Sequence, residues 1–431
     1  MVSFQTMKFL YQDSQISDDE IAAAGKSLAD YIERLNHVAR AKDYSLPEGF
    51  INLPGDRNLA NQISEVCRSK ISGRLKYVVV IGIGGSNLGA RAVYDALRGY
   101  FDLLEPERFP KIIFADTNDP EFSERLVGFL KSKINDPAEI LINIVSKSGD
   151  TLETTANGNL ILGALIGKFK NIADRIAVTT DFKSKLWHSA EKAGLSLISV
   201  PAKVGGRFSV FSAVGLLPLA VVGLDTKELF KGALNMRDQC LVDDMLKNQA
   251  ALSAIVLFLN YRRGKTINDN FFFHPELESL GKWYRQLLAE SVGKDGVGVT
   301  PTVSVGSADL HSVGQLNLGG PKNKITSFVW SENSAFVEPL NGAEKLGFEP
   351  VSRPFAEIMG AILEGAKNAY RNKGLPFVEA VLPDISPESL GEYMQFKMME
   401  VCFLAKLFNV NAFDQPEVEF YKKEACRFLT N

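Results

Sequence analysis

Between residues 75 and 202, short β-branched apolar runs alternate with longer amphipathic segments, and few architectures accept that pattern. The runs are KYVVVIG (76–82), KIIFAD (111–116), ILINIV (140–145), RIAVTT (175–180) and LSLISV (195–200), with helical periodicity at 87–98, 121–132, 151–168 and 184–193 between them. Nearly continuous runs of Val and Ile suit strands buried on both faces, and crossovers of a dozen or more residues are what parallel pairing needs. The segment therefore predicts an α/β domain with a parallel sheet sandwiched by helices.

The rest of the chain repeats the pattern more loosely. An uncharged stretch at 209–224 predicts a buried helix, followed by helices at 226–241, 245–262, 276–290, 354–373 and 387–409. NFFFH, TPTVSV, KITSFVWS and FVEAVLP are the strand candidates of a second α/β domain. Before the first sheet, Ile21, Leu28, Ile32 and Leu35 recur at helical spacings, so residues 1–50 read as an N-terminal helical arm. After the second, PEVEFYKKEACRFL reads as a last helix opening at Pro416. With 431 residues, the chain has the length for two large domains. The expected division is 1–50, 51–205, 206–410 and a C-terminal helix within 411–431.

Composition narrows the function. Lys+Arg 48 against Asp+Glu 51 gives a net charge of -3, which offers no basic field for nucleic acid or an anionic membrane, so small molecules are the expected partners. Cys67, Cys240, Cys402 and Cys426 form no C-x-x-C pair, and with only four His residues a metal centre is not expected. Isolated thiols and a first stretch without a signal-peptide pattern predict a cytoplasmic protein. The uncharged stretch is interrupted by Gly215, Pro218 and Gly223, and is too short to span a bilayer.

The chemistry gathers at junctions that leave strands. VVVIGIGGSNLGA runs from strand through a Gly-rich turn into a helix, but Asn87 stands where a dinucleotide fingerprint needs its third Gly, and neither GKS (25–27) nor GKT (264–266) has the first Gly of a P-loop. What remains is a turn whose Gly85 and Ser86 amides can face an anion, or whose glycines serve only the tight turn itself. SKSGDT supplies Ser146, Ser148 and Thr151 ahead of a helix N-terminus, a setting for a phosphate monoester as well as for simple capping. In VGGRFSVFS, Arg207 precedes an apolar helix and needs an anionic partner, either structural or a ligand. Gln286 and Glu290 share one face of a helix, where Glu290 is either a group facing a cleft or an ordinary solvated carboxylate, and His311 lies among small polar residues where it can serve as acid or base.

Taken in order, GIGGSNLG, SKSGDTLET, VGGRFSVFSAVGLLP, ESVGKDG, DLHSVGQ and FDQPEVEFYKK resemble the phosphoglucose isomerase family, in its shorter bacterial forms, from about residue 75 to 425. The resemblance implies two sugar-isomerase-type domains, each a parallel sheet sandwiched by helices, and interconversion of glucose 6-phosphate and fructose 6-phosphate with no metal or organic cofactor. It also implies roles. Glu290 corresponds to the base that moves a proton between C2 and C1, and Arg207 to the cation that stabilises the enediolate. His311 corresponds to the ring-opening residue and Lys422 to its helper. Ser146, Lys147, Ser148 and Thr151 match the phosphate loop; Gly85, Ser86, Gln286 and Gln415 match further substrate contacts. Asp150 departs from the family's pattern, in which many members have Thr, and a carboxylate beside a phosphate repels it unless turned outward. A homodimer with shared active sites is the implied assembly.

Three other readings compete: a non-catalytic sugar-phosphate sensor, an isomerase acting on mannose 6-phosphate alone or in addition, and an NAD-dependent dehydrogenase. The sensor would not need Glu290, Arg207, His311 and Lys422 together, and the dehydrogenase lacks its fingerprint.

Overall fold

In the computed structural model, residues 6–149, 151–333, 347 and 353–430 are described. The chain opens with strand β1 (Lys8–Leu10), then helices α1 (Asp18–Gly25), α2 (Ala29–Ala41) and α3 (Arg57–Lys70). A βα series follows: β2 (Tyr77–Ile81), α4 (Leu88–Leu97), β3 (Lys111–Ala115), α5 (Pro120–Lys133), β4 (Ile140–Val145), α6 (Leu152–Ile166), β5 (Ile176–Asp181), α7 (Lys185–Lys192) and β6 (Ser196–Val200). Helices α8 (Ala213–Val221), α9 (Thr226–Gln239) and α10 (Gln249–Arg262) lead into β7 (Ile267–Phe272), α11 (Glu278–Val292), β8 (Thr300–Val305), α12 (Val313–Gly319) and β9 (Lys324–Ser331). The remaining elements are α13 (Phe355–Lys373), β10 (Phe377–Leu382), α14 (Pro387–Phe408) and α15 (Val418–Thr430).

The first sheet has the order β3-β2-β4-β5-β6 and is parallel throughout. Its pleat sends alternate residues to two cores: Val78 and Val80 face one cluster, while Val79 and Ile81 face another shared with Leu126 and Leu130 of α5 and Ile161 and Leu165 of α6. The second sheet has the order β1-β10-β9-β7-β8. Phe272, Val329 and Val378 face the same cluster as Tyr284, Leu287 and Leu288 of α11 and Phe396 and Phe403 of α14, whereas Phe271, Phe328 and Phe377 pack with Leu363 and Tyr370 of α13. Each sheet is thus sandwiched by helices, and β8-β7-β9-β10 repeats the order of β3-β2-β4-β5, second, first, third, fourth when counted in sequence, with β6 a fifth parallel strand of the first sheet.

Two expectations need correction. The N-terminal arm is not wholly helical, and the second sheet is not purely parallel, because β1 pairs antiparallel with β10 (Lys8↔Val381, Leu10↔Glu379). A three-residue strand carries too little alternation to register in the sequence; it is specified by the open edge of β10. Met7 anchors the turn into it by donating its amide to the buried Glu392 (2.8 Å). The helical part of the arm does what its spacing predicts, since Ile21, Leu28, Ile32 and Leu35 are all buried. The uncharged helix starts late, at Ala213, where Ser212 accepts from the amide of Val214. Likewise, α15 starts at Val418 rather than at Pro416. Among the described residues no helix is long and apolar enough to cross a membrane.

Candidate active site

Open parallel sheets bind ligands beyond the carboxyl ends of their strands, where the strand order reverses. In the first sheet that point lies between β2 and β4, whose residues Ile81 and Ile144 are register partners. The turns 82–87 and 146–151 therefore leave the sheet side by side.

In the first turn Gly84 has φ 59°, and a Cβ on Gly85 would sit 2.3 Å from the carbonyl carbon of Gly206 and 2.6 Å from the amide nitrogen of Arg207. Only glycine at 85 lets the Arg207 turn come this close. Ser86 ends the turn ahead of α4. In the second turn the buried Ser146 accepts from the Gly149 amide (3.1 Å), and its hydroxyl lies 3.3 Å from that of Thr151. Thr151 occupies the N-cap of α6 but its side chain accepts no cap bond, so capping does not account for that hydroxyl. The Lys147 carbonyl accepts from the Asp181 amide and from the Thr180 hydroxyl, both at 3.2 Å, while Ser148 is exposed. Burial holds the Lys147 ammonium below its ordinary value, with Asp181 acting in the opposite direction. Burial likewise pushes Asp181 up to about 6 against the pull of Lys147. For both groups desolvation outweighs their mutual attraction, so an incoming dianion would stabilise a charge on Lys147 that the protein alone supports poorly. Asp150 lies outside the described residues.

Arg207 projects from the turn Gly206–Phe208 and is 4% exposed. All five of its N–H donors are engaged. Nε donates to Ser291 Oγ (2.9 Å); Nη1 donates to Glu290 Oε2 (3.2 Å) and to Gln415 Oε1 (2.8 Å); Nη2 donates to the carbonyls of Ala412 (2.6 Å) and Asp414 (3.0 Å). Burial lowers its basicity and Glu290 opposes that effect, but a guanidinium stays charged in proteins. Glu290, near the end of α11, takes a second bond at Oε1 from Gln286 Nε2 (3.0 Å), one helical turn earlier. Oε1 of Gln286 is buried without a hydrogen-bond partner among the described residues. That oxygen is an acceptor at the edge of the cluster.

Gly85, Arg207, Gln286, Glu290 and Gln415 thus converge, and the loop 146–151 emerges from the strand beside theirs. Two expected residues stay apart from the cluster. Lys422 lies on α15, paired with Glu419 (2.8 Å), which raises its basicity; the field of Glu153, in the first turn of α6, also reaches it. His311 ends the turn Ala308–His311 after β8, is exposed, and exchanges no hydrogen bond with the described residues. The sequence reading did not single out Ser291 or Lys294, although both belong to the ESVGKDG block. The backbone carbonyls that hold Arg207, some 205 residues further along, leave no sequence signal at all.

The family model described as phosphoglucose isomerase matches residues 55–321. A glucose-6-phosphate isomerase of Methanocaldococcus jannaschii is 36% identical over 92% of this chain and 96% of its own length. One from Lacticaseibacillus casei is 34% identical over 93% of each. Among solved structures, a hypothetical protein of Thermus thermophilus superposes with a TM-score of 0.85 at 29% identity, covering 99% of this chain and 100% of that one. A glucose-6-phosphate isomerase of Chlamydia trachomatis superposes with a TM-score of 0.81 over 98% of this chain and 88% of its own; at 21% identity it speaks for the fold.

Proposed function

The chain belongs to the phosphoglucose isomerase family, and from that premise we propose that it interconverts glucose 6-phosphate and fructose 6-phosphate through an enediolate. The observation that carries this reading is the Glu290–Arg207 arrangement: a carboxylate that can take a proton lies 3.2 Å from a buried cation that cannot give one up. Removing the proton at C2 of an aldose phosphate, or at C1 of the ketose, leaves negative charge on an oxygen of an adjacent carbon. A base and a fixed positive charge side by side are what that step requires.

The phosphate is assigned to Ser146, Lys147, Ser148 and Thr151, where the dipole at the start of α6 adds to the hydroxyls. Gly85, Ser86, Gln286 and Gln415 are assigned to the sugar hydroxyls, Gln286 through its Oε1. Glu290 moves the proton between C2 and C1 on one face of the enediolate. The substrate oxygen competes with Gln415 for Nη1 of Arg207 as charge develops. Ring opening requires a proton donor at the ring oxygen, and His311 of this chain is exposed and exchanges no hydrogen bond with Glu290. The reading therefore gives that task to His311 of the partner subunit in a two-fold dimer, assisted by Lys422, with each site built from both chains. The same reading divides the chain at about residues 50, 205 and 410, with the last segment completing the site, and places the protein in the cytoplasm.

A coupled assay with fructose 6-phosphate tests the proposal. Activity should appear at once and persist unchanged in EDTA, because Arg207 supplies the charge stabilisation for which other enzymes recruit a metal. Lack of turnover would refute the function, and loss on chelation with recovery on adding Zn²⁺ or Mn²⁺ would refute the mechanism.

A further inference from the structure

Lys294 lies four residues beyond Glu290, in the turn that follows α11 and is closed by a bridge to Val297, and its side chain is 7% exposed. Its ammonium donates to the carbonyls of Ser291 (3.2 Å) and Asn411 and pairs with Asp414 Oδ1 (3.0 Å). The stretch Asn411–Gln415 also supplies three of the five acceptors around Arg207: the carbonyls of Ala412 and Asp414 and the side chain of Gln415. Two cations from neighbouring turns thus grip one five-residue stretch. Phe413, in its middle, packs on Phe208 (ring centroids 5.2 Å apart), and Asn411 is tied to Asp414 by its own side chain (2.9 Å). This stretch carries Gln415 into the site and leads directly into α15, which bears Lys422.

Nothing in the isomerase chemistry uses Lys294, and no hydrogen bond from it reaches Glu290. Burial holds its ammonium below the ordinary value, with Asp414 opposing that effect. A desolvated ammonium is costly to keep where a neutral side chain could fill the space. Its hydrogen bonds run from the end of the helix that carries Glu290 to the start of the segment that carries Gln415 and Lys422.

We propose that Lys294 is a positioning residue that clamps Asn411–Gln415 to the end of α11 and so fixes Gln415, the Nη groups of Arg207 and the C-terminal helix relative to Glu290. The clamp itself stands on geometry; its effect on turnover rests on the isomerase reading.

Lys294→Met and Asp414→Asn provide the test, each compared with the unaltered protein by amide hydrogen exchange resolved along the chain and by kinetics with fructose 6-phosphate. In both variants the amides of α15 should exchange at least about tenfold faster while those of β2 keep their rates. kcat should fall by about tenfold or more with KM changed less than about threefold, because the phosphate loop belongs to the other sheet while the reacting groups lose registry. Faster exchange in β2 as well would assign Lys294 a general stabilising role and overturn the proposal. Unchanged exchange in α15, or a loosened α15 with undiminished kcat, would overturn it too. Asp414 has a side chain 51% exposed, so Asp414→Asn decides the matter if Lys294→Met does not fold. If the unaltered protein shows no isomerase activity, the functional reading fails, and the exchange comparison upholds or overturns the clamp by itself.

Discussion

Glu290→Gln should lower kcat by roughly 10²–10⁴-fold and leave KM for fructose 6-phosphate within about threefold. The amide keeps the shape of the carboxylate but cannot take a proton at neutral pH. Binding should survive because the residues assigned to the phosphate lie in the loop after β4, in a different sheet from α11. The local structure should survive as well. Glu290 accepts from Gln286 at one oxygen and from Arg207 at the other, and an amide can satisfy only one of these donors without rearrangement. Arg207 nonetheless keeps its bonds to Ser291, Gln415, Ala412 and Asp414. The Glu290 side chain is 30% exposed but that of Arg207 only 3%, so loss of the ion pair should also lower stability, by an amount that those four remaining bonds limit. A kcat within about tenfold of the unaltered protein would mean that another group is the base.

His311→Ala should also be nearly inactive on the ring-closed substrate, and a mixture with Glu290→Gln should recover activity that neither variant has alone. The reason is symmetry. If each site of a two-fold dimer combines Glu290 of one subunit with His311 of the other, a mixed dimer has one site with both defects and one with neither. Random pairing after joint unfolding and refolding makes about half the dimers mixed, so about one quarter of the original activity should return. If both residues served the same site from one chain, every site would carry a defect. Activity that stays at the level of the separate variants, with mixed dimers verified by differently tagged subunits, would contradict the shared site.

How far the sequence reaches depends on which forces specify each feature. Val78–Ile81 and Ile140–Val145 are buried on both faces, so their apolar runs announce central parallel strands. Gly85 is legible for a comparable reason: only a residue without Cβ fits against the Arg207 turn, and a glycine pair in the sequence marks that approach. β1 is illegible because its existence depends on an edge formed more than 360 residues later, and no local pattern encodes that. At the site, the groups that would do chemistry stand out because a Glu, an Arg or a His is distinctive. Their supports do not, since Ala412 and Asp414 hold Arg207 through backbone carbonyls that any residue would offer. Lys294 is the intermediate case. It is visible within ESVGKDG, but a lysine in a turn reads as a solvated charge until the fold brings Asn411 and Asp414 against it. His311 shows the opposite limit: the chain reveals a candidate acid, and its own fold leaves that acid facing solvent.

The central claim is that the chain interconverts the two sugar phosphates by moving a proton, with Glu290 as its carrier. Fructose 6-phosphate incubated with the protein in ²H₂O and followed by NMR tests it directly. A carboxylate that holds the proton between two carbons exchanges it with solvent in some fraction of turnovers, so repeated interconversion should place deuterium at C2 of the glucose 6-phosphate formed and at one C1 position of the remaining ketose. Glu290→Gln should incorporate none over the same period. Glucose 6-phosphate formed with no deuterium at C2 after prolonged equilibration would indicate a hydride shift and contradict the account, as would full incorporation by Glu290→Gln.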